Sequence, residues 1–269
     1  MYPGAMLKPL PFLLVTLAAT PALAGATPWQ DIAPGVRARL ISSDTVSAGT
    51  TLAGLELDMP RDTKTYWRIP GETGIPTEFD FSGSTGVNAP SVIWPYPEID
   101  HTGGYLDYVF HGPTVLPISL TAAEGATLNA AVTLGVCSDV CVPAQVKFAL
   151  PLSYAKPDAA QSIRLNQAVS VAPIPWDQPA APLGAVSLTS DGVAIRDLDP
   201  SIDPASLIAD VGDPAILFDT PQKSPDGTLW TLKLLGQAGA KRLEGRPVQF
   251  TFMTARGPYS VTSRIAAAP

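Results

Sequence analysis

The chain has 269 residues, with 29 prolines, 22 glycines, 46% hydrophobic and 15% charged residues, and a formal net charge of -7. Proline at roughly twice its usual share excludes a bundle of long helices, and the apolar fraction excludes disorder and allows a large core. An acidic balance offers no broad basic surface, which excludes nucleic acid as the main partner.

In chain order, residues 1–24 read as an address. Lys8 follows the amino terminus, and Leu10–Ala19 is apolar but too short to span a bilayer with ease. Thr20-Pro21 breaks the run, and Ala22-Leu23-Ala24 fits an A-x-A rule, which predicts cleavage near Ala24 and a mature start at Gly25. An uncleaved anchor is the other reading of the same residues. Cleavage takes away one lysine and no acid, so -7 becomes -8. No later stretch has the roughly 18 uninterrupted apolar residues of a membrane span. The expectation is an exported chain with no stable membrane insertion after cleavage.

From about 35 to 153 the pattern alternates with period two, the mark of half-buried strands. Leu55, Leu57 and Met59 alternate with acids, as do Phe79 and Phe81. Leu128, Ala130, Val132, Leu134 and Val136 form a longer run, answered by Val146, Phe148, Leu150 and Leu152. Glycine- and proline-rich turns separate these segments, which predicts an all-β unit over 25–155, an antiparallel sandwich. Residues 156–182 are rich in Ala and Pro and read as a linker carrying one short helix over 159–169, capped by Asp158 and stopped before Pro173 and Pro175. Strand signals resume at Val186–Leu188, Ile216–Phe218, Leu229–Leu235, Val248–Met253 and Tyr259–Ile265, a second and smaller β domain over 183–266.

The two cysteines, Cys137 and Cys141, lie between two predicted strands as Cys-Ser-Asp-Val-Cys. The core-facing residues of both strands have even numbers and both cysteines have odd ones, which puts the pair outside the apolar register. In an exported chain an even count points to a disulfide. A loop of about five residues yields roughly 2 kcal/mol in the chain-entropy model, against about 4.7 for a hundred-residue loop, so a bridge selected for stability would join distant strands. The spacing alone leaves three readings open: a redox-active pair, a structural staple, or two thiolates holding Cu(I). Nothing places His101, His111, Met59 or Met253 beside the pair as a further copper ligand, and a zinc site lacks four ligands. No G-x-S-x-G or H-E-x-x-H pattern supports hydrolysis, and no C-x-x-C-H supports haem attachment. No cofactor or metal is expected.

Four blocks, KTYWRIPGETGIPTEFDFSGSTGV (64–87), IWPYPEI (93–99), GYLDYVFHGPTVLPISL (104–120) and GVCSDVCVPA (135–144), come in the order seen in one family. Over roughly 30–155 the chain resembles the N-terminal periplasmic domain of the thiol:disulfide interchange protein DsbD, especially its ScsB-like members. Residues 156–266 are similar, more weakly, to their companion region. The resemblance implies an immunoglobulin-like sandwich in the periplasm, with Cys141 forming mixed disulfides and Cys137 resolving them. It also implies a membrane-embedded thiol reductase as electron donor and a thioredoxin-like periplasmic protein as acceptor. A cap loop over the pair maps to Glu98–Tyr105, with Asp100 and His101 facing the sulfurs and Tyr66 and Trp67 lining the site. An immunoglobulin-like interaction module with a purely structural disulfide is the competing expectation.

Overall fold

The computed structural model describes residues 25–154, 156–236 and 239–268; the predicted signal segment lies outside the described residues. Ten strands build the first unit: β1 (Gln30–Ala33), β2 (Val36–Ser42), β3 (Thr51–Asp58), β4 (Lys64–Gly71), β5 (Glu78–Asp80), β6 (Thr85–Val92), β7 (Glu98–Asp100), β8 (Asp107–His111), β9 (Thr114–Cys137) and β10 (Cys141–Pro151). All pairings among them are antiparallel.

β9 connects the two layers. Its first part pairs with β3 and β6, and its last part pairs with β10, β5 and the start of β4. Gly125, between the two parts, has φ 77, a conformation open to glycine at little cost. Leu40, Leu55, Leu116, Ile118 and Leu120 from one layer meet Leu128, Leu134, Phe148 and Leu150 from the other, all buried in one cluster with Trp67 and Tyr108. Each such side chain contributes about 1.5–3 kcal/mol when fully buried. The predicted alternation therefore marks the inner faces of an immunoglobulin-like sandwich, and the all-β expectation holds.

The segment expected to be a linker is fastened at both ends. Its helix, α1 (Ala159–Ser170), begins where Asp158 Oδ1 accepts the Ala160 and Gln161 N–H groups. Leu165 is buried on the sandwich with Ala26 and Ile41, and a Cβ at Gly54 would stand 2.7 Å from its methyl. The next residues enter the second unit as β11 (Ile174–Pro175), parallel to the last strand, with the Trp176 ring against Phe252 and Tyr259.

That unit continues with β12 (Val186–Leu188), β13 (Gly192–Arg196), β14 (Ile208–Asp210), β15 (Leu217–Phe218), β16 (Gln222–Lys223), β17 (Leu229–Leu235), β18 (Pro247–Thr254) and β19 (Gly257–Arg264). They form one sheet ordered β11-β19-β18-β14 and another ordered β12-β13-β17-β15, around Val193, Ile195, Leu232, Val248, Phe250 and Phe252. The two units share material: Ile208 and Leu217 are buried in the first unit's core. Arg68 of β4 donates to Asp210 Oδ2 at 2.8 Å and to Gln249 Oε1 at 2.8 Å. The Tyr96 hydroxyl donates to Ser206 O at 2.5 Å.

Candidate functional site

The β9–β10 hairpin carries the cysteines as a cross-strand pair, Cys137 opposite Cys141, joined by a disulfide. Val136 and Val146 face the sandwich core, so strand alternation sends Cys137 to the opposite face, as the numbering parity predicts. That face is not bare. Cys137 is 1% exposed, closed in by Tyr66 of β4 and Val109 of β8. Cys141 is exposed, and Val140 and Val142 beside it are 71% and 42% exposed. The two bonded cysteines thus have opposite exposure.

Tyr66 organises the site. Its Oη lies 3.1 Å from Cys137 Sγ and 3.5 Å from Cys141 Sγ; disulfide sulfur carries no proton, so the hydroxyl is the donor. The ring is fully buried in a slot between two glycines. A Cβ at Gly74 would stand 2.2 Å from Tyr66 Cδ1, and one at Gly135 would stand 3.1 Å from Cδ2. The backbone around it is pinned as well, because the Thr77 hydroxyl donates to Tyr66 O at 2.6 Å and the Thr65 hydroxyl to Gly135 O at 2.8 Å. Burial pushes the phenol above its ordinary pKa; the Thr73 hydroxyl works against this and the Asp107 charge adds to it. It stays protonated, a donor fixed over two sulfurs.

A charged cluster stands behind the ring. Lys64, two residues before Tyr66 and directly across from Cys137, places Nζ 2.8 Å from Asp100 Oδ2, 3.5 Å from Asp107 Oδ2 and 5.8 Å from the Tyr66 ring centre. Burial alone would raise the Asp100 carboxyl, yet the Lys64 ammonium and the Thr102 hydroxyl and N–H hold it well below the usual carboxylate range. Burial likewise opposes the Lys64 charge, and Asp100 nonetheless holds that ammonium above its ordinary value. Asp107 is buried and accepts the Thr73 N–H at 3.0 Å and hydroxyl at 2.6 Å. Thr73 and Gly74 are thereby held on the same loop that walls the tyrosine.

Of the residues expected at the site, Cys137, Cys141 and Tyr66 are in mutual contact. Trp67 points the other way, into the sandwich core beside Tyr108, with the Arg68 guanidinium 3.8 Å from its ring centre. Asp100 contacts Lys64 and Thr102, and among the described residues it makes no hydrogen bond to either sulfur. His101 is exposed and opens the short 3-10 turn Thr102–Gly104. Lys64 and Asp107 were missed. Lys64 was legible, since a residue two places from Tyr66 shares its face. Asp107 was not, because its loop partners come from 34 residues away. Among the described residues no group of three or more His, Cys, Asp or Glu side chains is placed to hold a metal ion.

Residues 34–153 match the family model described as thiol:disulfide interchange protein DsbD, N-terminal. That span is under half of the 269 residues and covers the sandwich with both cysteines. No curated protein matches the chain. Among solved structures, the crystal structure of the N-terminal periplasmic domain of ScsB from Proteus mirabilis superposes with a TM-score of 0.68 at 20% identity, covering 91% of this chain and 100% of that one. At that identity the likeness is one of fold, and it extends over the second unit.

Proposed function

Taking residues 34–153 as a domain of the DsbD N-terminal family, which their match to its model supports, we propose that the chain is an exported thiol–disulfide exchange protein working through Cys137 and Cys141. The observation that carries this reading is the unequal exposure of one bonded pair under a tyrosine hydroxyl. In the reduced protein the Cys141 thiolate attacks a partner disulfide, forming a mixed disulfide and expelling one partner thiolate. The Cys137 thiolate then attacks Cys141 Sγ, releasing the second partner thiolate and closing the Cys137–Cys141 bond. Two electrons pass to the partner, whose two sulfurs leave as thiolates that take up the protons given up by the cysteines.

Tyr66 has a role in both steps. Its hydroxyl donates to whichever sulfur carries negative charge, and that stabilisation is worth most where water is excluded. Lys64 stands behind the ring with its ammonium already paired to Asp100 and Asp107, so it orders that side of the site. The donor in this scheme is a membrane-embedded thiol reductase and the acceptor a thioredoxin-like protein, with exchange taking place in the periplasm after cleavage near Ala24. No helix among the described residues is long and apolar enough to cross a membrane.

Trapping tests the order of attack. With Cys137→Ala, the protein incubated with oxidised thioredoxin should accumulate a mixed disulfide through Cys141, because nothing resolves it. With Cys141→Ala, the buried Cys137 should trap little. Equal trapping by both variants would contradict the assignment, and trapping by neither would favour a structural staple.

A further inference from the structure

Three segments distant in sequence converge at the edge of the first unit, and two carboxylates lie there, Asp44 and Asp158, neither in an ion pair among the described residues. Asp44 is fully buried, and neither of its carboxylate oxygens has a hydrogen-bond partner in good geometry among the described residues. Burial raises its carboxyl, weak hydrogen bonding from the Ser42 side chain and the Ser153 backbone works against that, and the negative charge of Asp158 raises it again. Asp158 uses Oδ1 to cap α1. Its other oxygen faces Gly25: a Cβ there would stand 3.1 Å from Asp158 Oδ2 and 3.1 Å from Ser42 O.

Gly25 is held in place at this spot. Its carbonyl accepts the Ser42 N–H at 2.7 Å, Ala26 bridges to Ile41 and is buried, and the Asp158 N–H donates to Ser43 O at 3.2 Å. With an N–Cα bond of about 1.46 Å, the Gly25 nitrogen lies within about 6 Å of Asp158 Oδ2. An unpaired buried carboxylate is strongly unfavourable, and an orphaned one calls for a partner.

We propose that the partner is the α-ammonium of Gly25, created by cleavage after Ala24. Processing would convert a neutral amide into a cation with three donors near Asp158, whose charge in turn acts on Asp44. An α-amino group has a pKa near 7.7–8.0, so the charge is present at neutral pH. The inference rests on the cleavage proposed above, and intact mass of the exported protein tests that cleavage by itself.

The counter-ion is tested on two proteins that both begin at Gly25, one with a free and one with an acetylated α-amine. The free form should melt at least about 3 °C higher, and the difference should shrink by more than half in Asp44→Asn and in Asp158→Asn, the latter keeping a good helix cap. As a readout independent of stability, the isotopically methylated α-amine should titrate above about 8 in the parent and return to the ordinary range in the double variant. Equal melting temperatures of the two parent forms, or an α-amine titrating at or below its ordinary range, would overturn the proposal.

Discussion

Replacing Tyr66 by Phe removes one oxygen and leaves the ring in its slot between Gly74 and Gly135. The lost hydrogen bond to sulfur is worth about 0.5–1.5 kcal/mol, so thiol alkylation and disulfide exchange should slow by about two- to tenfold while the unfolding midpoint barely moves. An unchanged alkylation rate across pH would remove Tyr66 from the chemistry. Lys64→Met probes the charge behind the ring. The Asp100 carboxyl lies below its unfolded value, so its contribution is fully present above about pH 4–5 and is lost as pH falls toward the folded value. The stability difference between parent and Lys64→Met should therefore be largest near pH 5–7 and shrink toward pH 2, as read by urea unfolding at each pH. At this scale Cys137, Cys141 and Tyr66 were legible in the sequence because a motif and its order along the chain carry residue identity. The contacts of Asp107 and the inward turn of Trp67 depend on which face of β4 and β8 is covered, and that is a tertiary outcome.

At the scale of elements, the hairpin tip and the loop after β4 together make the site. Gly74→Ala drives a methyl into the Tyr66 ring, which is buried and cannot swing away. It should destabilise the protein by about 1–3 kcal/mol, the usual cost of overpacking, and should also disturb exchange. Gly135→Ala, with looser contacts at 3.1 Å, should cost less in the same denaturant series. Period-two alternation marked the 128–136 part of β9 and most of β10, and the Asp158 cap gave the start of α1, because both signals are local. The first half of β9 and its passage through Gly125 went unmarked. The packing of α1 onto Gly54 and the parallel pairing of β11 with β19 are non-local, and no periodicity encodes them. The Ala- and Pro-rich composition of 156–182 suggested a linker, while its burial is decided by Leu165 and Trp176.

For the molecule as a whole, the ion pair between Arg68 and Asp210 ties the second unit to the strand that carries Tyr66, two residues away. Burial lowers the Arg68 pKa, and Asp210 opposes that shift. Asp210→Ala leaves a largely buried guanidinium short of its partner and should cost about 2–3 kcal/mol. With Ile208 and Leu217 also inside the first core, the two units should melt in one transition in the parent protein. Two separated transitions in the parent would contradict this coupling.

The central claim is that the Cys137–Cys141 bond is made and broken in function and does not merely fasten a hairpin. The measurement that tests it most directly is the equilibrium reduction potential of the pair in the chain beginning at Gly25, by thiol trapping across dithiol buffers. The account predicts a value within the range of exchange proteins, about -120 to -270 mV, with Tyr66→Phe shifting it measurably. A value below about -300 mV, together with no exchange with thioredoxin, is the signature of a structural disulfide and would contradict it.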